Sequence, residues 1–174
     1  MLQQLILVNE NDEPIGVAEK MEAHQKALLH RAFSVFIFND EGKMLLQQRA
    51  VSKYHSGGLW TNACCSHPYV GQQIHEAAQK RLQEEMGFST ALQKAFTFTY
   101  KANFENGLTE HEYDHVFIGE YNGVISPSAD EVEDYCYKTI AEIEEEIINY
   151  STKYTEWFKI AFPLLKTYLA ENKK

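Results

Sequence analysis

Cysteine, proline and long apolar stretches are scarce in this chain of 174 residues. It has three cysteines and four prolines, and two of the cysteines, Cys64 and Cys65, are neighbours. Adjacent cysteines rarely satisfy disulfide geometry, so the set argues against a disulfide-stapled secreted domain and favours a reducing, cytoplasmic location. No apolar run approaches the length that spans a membrane. The first residues carry neither a basic segment nor a long apolar core, so we expect no signal peptide.

Positive charge is also in short supply. Sixteen Lys and Arg stand against 25 Asp and Glu, a formal charge of −9, which argues against nonspecific binding to nucleic acid or to an anionic membrane. Much of the acid lies in 130–146, and no feature demands a protein partner. Four cations lie in or near the segments with candidate chemistry, which suits a small polyanionic ligand, although scattered surface cations would look the same. These cations are Lys20, Arg49, Lys53 and Arg81.

The length and the order of the predicted elements suit a single α+β domain spanning 1–174, a mixed sheet covered by helices. The segment 73–86 has helical apolar spacing, and Gly87 follows at the position where helices end. Thr139 and Glu142 form a capping-box pattern that opens another helix, and Pro163 predicts a kink or break in the last one. The predicted strands are 5–8, 32–38, 43–49, 95–104, 108–121 and 135–138, and the predicted helices are 73–86, 139–149 and 156–169.

Two pairs of polar residues with a spacing of two are the most informative motifs. Cys65 and His67 form one pair, and Glu110 and Glu112 form the other. On an extended backbone the members of each pair lie on one face, and together they offer groups that bind metal and transfer protons. Simpler interpretations remain open. Cys65 alone could be a small buried apolar residue, and the carboxylates, with Asp114, could form the solvated face of a strand.

With further segments, these pairs resemble the type 1 isopentenyl-diphosphate isomerases, a family of the Nudix-fold superfamily. The resemblance runs from about residue 5 into the last helix. Its most specific part is the Cys-Ser-His-Pro block at 65–68 combined with Glu-x-Glu at 110–112. It implies a Nudix-like fold and isomerisation of isopentenyl diphosphate to dimethylallyl diphosphate. The other anchoring segments are 19–20, His24, 30–34, 48–50 and 59–62.

The resemblance also implies roles for individual residues. Cys65 and Glu112 would handle protons with help from Tyr100, and Trp157 would lie against the isoprenoid carbons. Glu85 would bind a second Mg²⁺ that arrives with the diphosphate. The diphosphate contacts would be Lys20, Arg49, Lys53 and Arg81. A resident Mn²⁺, Mg²⁺ or Zn²⁺ would be held by His24, His30, His67, Glu110 and Glu112.

The implied reaction makes physical sense of these residue types. Moving the double bond adds a proton at one carbon and removes one from another, with a tertiary carbocation at C3 as the plausible intermediate. That chemistry needs an acid, a base and the exclusion of water. An indole face can stabilise the cation, and basic side chains with Mg²⁺ can anchor the diphosphate.

Two other functions remain as hypotheses. The Nudix hydrolase box has the form Gly-x5-Glu-x7-Arg-Glu-U-x-Glu-Glu-x-Gly-U, where U is bulky and apolar. When the box is aligned on 84–88, Arg81 stands where a hydrolase places a metal-binding carboxylate, so pyrophosphate hydrolysis ranks behind isomerisation. Arg81 could also be only the i,i+4 salt-bridge partner of Glu85. The last hypothesis is a non-catalytic domain with structural zinc at Cys64, Cys65 and His67, although adjacent cysteines do not match zinc knuckles.

Overall fold

A computed structural model describes residues 3–53, 55–104 and 106–172. Within these ranges nine strands form one mixed sheet, and four α-helices accompany it, which confirms the predicted α+β class. No helix there is long and apolar enough to cross a membrane. The elements are β1 (Gln4–Val8), β2 (Pro14–Glu19), α1 (Lys20–Gln25), β3 (His30–Phe38), β4 (Met44–Arg49), β5 (Trp60–Thr61), β6 (Cys64–Ser66), α2 (Ile74–Met86), β7 (Leu92–Asn103), β8 (Thr109–Glu120), β9 (Val132–Lys138), α3 (Ile140–Asn149), a 3₁₀ turn (Ser151–Lys153) and α4 (Glu156–Glu171).

Strand β3 lies at the centre of the part of the sheet that carries the predicted chemistry. It runs parallel to β8, with His30 opposite Glu112. It also pairs antiparallel with β6, where Ser34 lies opposite Cys65. Strand β7 extends the sheet beyond β8, and β9 extends it beyond β4. These registers bring Cys65 and Glu112, which are 31 and 82 positions from their partners in the sequence, to the first half of β3.

Alternation along the strands directs side chains into two apolar cores. Phe33 and Val35 of β3 pack in the core that includes α2, whereas Phe36 packs with the residues of α3 and α4. Each large apolar side chain buried in this way contributes about 1.5–3 kcal/mol. On β8, Val116 belongs to the α4 core, and Glu112 shares its strand face because the two are an even number of residues apart. The predicted carboxylates therefore continue an inward-facing row.

Gly87 allows the segment before β9 to lie against the end of α2. Its φ is 76°, and a Cβ atom there would lie 2.0 Å from the Ser126 carbonyl oxygen. Backbone hydrogen bonds from Ser126 N to Met86 O (3.3 Å) and from Ser128 N to Glu85 O (2.9 Å) fix this approach. A side chain at 87 would meet both the left-handed conformation and the neighbouring carbonyl, so glycine is required here.

The two predictions about where helices begin and end had different outcomes. The capping box is present, with Thr139 accepting from Glu142 N and Glu142 accepting from Thr139 N, which confirms that prediction. The predicted break at Pro163 is wrong, because α4 continues from Glu156 to Glu171. Proline removes one backbone hydrogen bond, but the neighbouring Phe162 is buried and helps to hold the helix against the sheet. Strand β2, helix α1 and the short strands β5 and β6 were not predicted from the sequence.

Candidate active site

A cavity of about 130 Å³ lies at the end of the sheet where β3 and β8 begin. It gathers side chains from α1, β6, α2, β7, β8, α4 and the segment after β4. Every predicted catalytic and substrate-binding residue lines it, as do all the predicted metal ligands except His30, which lies beside them. Four lining residues were not predicted. These are Ser34, His55, Ser66 and Glu131.

Three histidines and one carboxylate form a compact group at the floor of this cavity, called here the histidine cluster. One ligand atom from each of His24, His30, His67 and Glu112 lies within 4.8 Å of all the others, which is close enough to hold a metal ion. The centre of the His30 ring lies 5.1 Å from the centre of the His24 ring and 5.0 Å from that of the His67 ring. His24 comes from α1, His30 begins β3, and His67 follows β6, so three separate elements must be folded to form the cluster.

The hydrogen bonds of the histidines suit metal binding. His24 Nδ1 lies 2.6 Å from the Lys20 carbonyl, and His30 Nδ1 lies 2.8 Å from the Leu28 carbonyl. A carbonyl only accepts, so both Nδ1 atoms carry hydrogen and both Nε2 atoms keep their lone pairs. Within the described ranges, these two Nε2 atoms are buried without a hydrogen-bond partner. Orphaned buried lone pairs beside a carboxylate fit a divalent cation.

Burial also favours the neutral, metal-binding form of two of the cluster's imidazoles, those of His24 and His67. It lowers the pKa of His24, and it lowers the pKa of His67 to about 4. His67 Nε2 lies 2.9 Å from Glu112 Oε1, and His30 Nε2 lies 3.5 Å from the same oxygen. Burial alone would raise the pKa of Glu112, but its contacts with His30 and His67 outweigh burial and hold that pKa well below its usual range.

Tyr100 connects Glu112 to Glu110. Its hydroxyl lies 2.7 Å from Glu112 Oε2 and 3.0 Å from Glu110 Oε2. Only 5% of Glu110 and 7% of Glu112 are exposed, so the interpretation of these residues as a solvated strand face is wrong. Burial and the charge of Glu112 raise the pKa of Glu110 well above its usual range.

Glu110 differs from the predicted ligand set because it lies outside the histidine cluster. One of its oxygens accepts from Tyr100, and the other lies 3.6 Å from His55 Nε2. Both of its oxygens therefore have partners outside the four-residue group. Its role as a metal ligand stays a prediction.

The two neighbouring cysteines lie in different environments, as alternation along an extended segment requires. Cys64 is fully buried in the α2 core, whereas Cys65 lines the cavity. The Cys65 sulfur lies 3.1 Å from Asn62 Oδ1 and 3.4 Å from Ser34 Oγ. Burial raises the pKa of the Cys65 thiol, so it is protonated at neutral pH. Neither cysteine belongs to the described histidine cluster, which argues against a structural zinc site built on both.

Behind Cys65 lies a buried carboxyl group whose environment was not anticipated. The Ser34 hydroxyl donates to Asp114 Oδ2 at 2.6 Å, and Asp114 is only 2% exposed. Burial, followed by the charge of Glu112, raises the pKa of Asp114 to about 8. The sequence had suggested only that Asp114 belongs to a solvated strand face, although its even spacing from Glu112 places both residues on the same face of β8.

The same cavity is lined by the four predicted cations, called here the basic pocket (Lys20, Arg49, Lys53 and Arg81). Arg81 Nε lies 2.6 Å from Glu85 Oε1, so the intrahelical salt bridge is present and faces the cavity. Glu85 is buried and also accepts from Gln47 at 2.7 Å. Its burial raises its pKa, although Arg81 acts in the opposite direction. The predicted substrate-borne Mg²⁺ site is thus a buried carboxylate next to a guanidinium.

Aromatic rings form the wall near Arg49. The Arg49 guanidinium carbon lies 5.2 Å from the centre of the Trp157 ring. The His55 ring meets Trp157 edge-on at 5.8 Å and stacks on Phe104 at 5.2 Å. Burial and the charge of Arg49 lower the pKa of His55 to about 3, so this ring is neutral at pH 7. No motif in the sequence pointed to His55.

Comparisons with known proteins agree with this geometry. The model of the NUDIX domain family matches residues 28–158. The isopentenyl-diphosphate Delta-isomerase of Pectobacterium atrosepticum is 48% identical over 96% of this chain and 93% of its own length. Isopentenyl-diphosphate Delta-isomerase 2 of Photorhabdus laumondii is 50% identical over 89% of this chain and 88% of its own length.

Solved structures that resemble the chain at low identity support the fold alone. The DR0079 protein of Deinococcus radiodurans has a TM-score of 0.70 and 17% identity, covering 85% of this chain and 90% of its own. A MutT protein of Methanosarcina mazei has a TM-score of 0.67 and 18% identity, covering 84% of this chain and 96% of its own. With the matching family model and the closely similar curated relatives, these findings place the chain in the Nudix superfamily and, within it, in the isopentenyl-diphosphate Delta-isomerase family.

Proposed function

We propose that this protein isomerises isopentenyl diphosphate to dimethylallyl diphosphate for isoprenoid biosynthesis. The observation that carries the proposal is one cavity holding the half-buried thiol of Cys65, a carboxylate–tyrosine pair and a basic pocket together. The names of the curated relatives support the same substrate and reaction. Pyrophosphate hydrolysis is disfavoured because Arg81 occupies a box position where metal-dependent hydrolysis uses a carboxylate.

Cys65 and Glu112 have complementary protonation states for this reaction. The neutral thiol of Cys65 can give a proton to C4, and the ionised carboxylate of Glu112 can take one from C2. One proton enters the substrate and one leaves it, so no oxidant or reductant is required. Tyr100 donates a hydrogen bond to Glu112 and holds the carboxylate in place. The indole of Trp157 faces the same cavity, where its π-face can stabilise positive charge at C3.

The histidine cluster is the proposed binding site of a resident divalent ion. Its three imidazoles suit Zn²⁺ better than Mn²⁺ or Mg²⁺, which prefer oxygen ligands such as the carboxylate of Glu112. When bound, such an ion supplies positive charge that fixes the orientation of Glu112 and keeps it ionised. Glu110 lies two residues before Glu112 on the same face of β8. It would join the ligands if its side chain turned away from His55.

The basic pocket is the proposed diphosphate site. Lys20, Arg49, Lys53 and Arg81 supply charge-assisted hydrogen bonds, and Glu85 is placed to bind the Mg²⁺ that accompanies the diphosphate. We also propose a cytoplasmic location, which the three free thiols support.

The deciding experiment is incubation of the purified protein with isopentenyl diphosphate and Mg²⁺. We expect dimethylallyl diphosphate to accumulate and no phosphate to be released. Release of phosphate without isomerisation would favour the hydrolase hypothesis. Tightly bound zinc with no turnover, and unfolding upon chelation, would favour a non-catalytic metal-binding domain.

A further inference from the structure

Glu131 lies between two cations of the basic pocket and has no role in the proposed reaction. We propose that it is a positioning residue, which holds Lys53 and Arg81 in one shared geometry so that they meet the diphosphate together. This inference rests on the proposed function, because it concerns the same diphosphate pocket.

The side-chain contacts of Glu131 join two separate elements. Its Oε2 atom lies 2.9 Å from Arg81 NH2 on α2, and the same oxygen contacts the Lys53 ammonium in the segment after β4. Arg81 is therefore in ion-pair contact with Glu85 at Nε and with Glu131 at the neighbouring NH2 group. A single carboxylate oxygen thus contacts two cations that lie on different elements and far apart in the sequence.

The backbone around Glu131 is anchored to both of these elements. Its carbonyl accepts from Ala50 N at 2.9 Å, and Ala50 lies three residues before Lys53. Its own N–H donates to the Ser128 carbonyl at 3.0 Å, while Ser128 N donates to the Glu85 carbonyl at 2.9 Å at the end of α2. The carboxylate therefore extends from a fixed point between the loop and the helix that it connects.

The partial burial of these side chains gives the contacts more weight than those of a surface ion pair. The side chains of Lys53, Glu131 and Arg81 are 21%, 23% and 27% exposed, so solvent screens them less than it screens an open pair. Lysine has a flexible stem with four rotatable bonds, and a pocket without Glu131 would have to order that stem each time a ligand binds.

Simple electrostatics and positioning predict opposite results when the carboxylate is removed. Losing a negative charge makes the pocket more positive, which by itself would tighten the binding of a diphosphate. Losing the partner that orders Lys53 and Arg81 would weaken it. Tighter binding of diphosphate after removal of the carboxylate would show that Glu131 only competes with the ligand as an anion. Weaker binding would show that Glu131 positions the two cations.

The test compares Glu131→Gln with Glu133→Gln in the full chain. Glu133 lies two residues further on β9, is exposed, and undergoes the same change in charge. Binding of inorganic diphosphate in the presence of Mg²⁺ is measured by titration calorimetry, and KM and kcat are measured with isopentenyl diphosphate. We expect Glu131→Gln to raise Kd and KM about tenfold with kcat within about twofold of wild type, and Glu133→Gln to change neither.

Unchanged or tighter diphosphate binding by folded Glu131→Gln would overturn the proposal. If that variant does not fold, Glu131→Asp replaces it. The shorter carboxylate keeps the charge but cannot reach both cations, so it should also weaken binding, and wild-type affinity would refute the role.

A second check uses a Lys53→Met background, where the effect of Glu131→Gln should shrink because one partner is already gone; an undiminished effect would count against the proposal. Wild-type protein that binds diphosphate but does not isomerise the substrate would refute the proposed function and leave the role of Glu131 standing.

Discussion

Replacing each of the two neighbouring cysteines with alanine separates catalysis from packing at adjacent positions. Cys65 lines the cavity, with its sulfur 3.1 Å from Asn62 Oδ1, whereas Cys64 is fully buried in the α2 core. Cys65→Ala removes a group proposed to touch the substrate and leaves the metal-binding side chains in place. Cys64→Ala removes a sulfur atom that only packs. The two variants should therefore fail in different assays.

The magnitudes follow from these environments. A positioned general acid or base contributes about 10²–10⁴-fold, so we expect kcat of Cys65→Ala to fall by that factor. Truncating the buried Cys64 side chain leaves a small void and costs about 1–2 kcal/mol of the free energy of unfolding. For a chain of this size that loss lowers Tm by about 2–4 °C per kcal/mol, while activity should fall at most modestly.

Three measurements on each variant test this reasoning. They are the rate of dimethylallyl diphosphate formation, Tm by thermal denaturation, and metal content after dialysis. Wild-type metal content with a near-complete loss of turnover in Cys65→Ala would support the assignment. The reverse ranking, with Cys64→Ala inactive and Cys65→Ala active, would show that the wrong thiol has been placed in the reaction.

Three further predictions concern ionisable residues in the cavity or behind it. Glu112→Gln should lose both activity and metal affinity, whereas excess Mn²⁺ or Mg²⁺ should partly restore Glu110→Gln; normal metal content and turnover in both variants would remove the pair from the mechanism. Arg81→Ala should lower kcat/KM by roughly tens to a hundredfold, because a charge-assisted contact is worth ~1.5–3 kcal/mol, and Arg81→Glu should abolish isomerisation by repelling the diphosphate; an active Arg81→Glu would rule out its diphosphate contact. Burial raises the pKa of Asp114 to about 8 from an ordinary 3.8, so the native state keeps a proton that the unfolded chain releases, and the contribution of this group to stability falls as pH rises from about 4 to 8. In Tm measured against pH, Asp114→Asn should lose this component of the decline, and an unchanged slope would contradict the burial effect.

Local periodicity predicted those parts of the fold where one face of an element is buried. The helix at 73–86 was predicted because its apolar residues recur on one side, and in α2 those residues pack against β3. The capping box at Thr139 was readable because both of its hydrogen bonds are local. Strand β2 was missed because Pro14–Glu19 is largely exposed, so that no alternation marks it as a strand. Of the predicted kink or break at Pro163, the break was wrong because the local rule did not include the packing of α4.

Contacts between distant elements explain the site residues that sequence reasoning missed. Glu131 matters only because the segment before β9 returns to α2, and Gly87 permits that return. His55 becomes part of a wall only when α4 brings Trp157 against it. Neither residue belongs to a motif with local spacing. The predicted ligands were accessible to sequence reasoning through the family resemblance, which carried the tertiary information that the spacing alone does not contain.

The hydrogen-bond capacity around Tyr100 limits how the two glutamates can be stabilised. Tyr100 has a single hydroxyl hydrogen, yet its oxygen lies within hydrogen-bond distance of both Glu110 and Glu112. It can fully satisfy only one carboxylate at a time, so a second ionised glutamate in this buried place needs positive charge from elsewhere. His67 can donate a hydrogen bond to Glu112, but burial keeps its imidazole neutral, so it supplies no positive charge. The arrangement therefore favours a protonated Glu110, in line with its raised pKa, and the binding of a divalent ion by both glutamates stays a prediction.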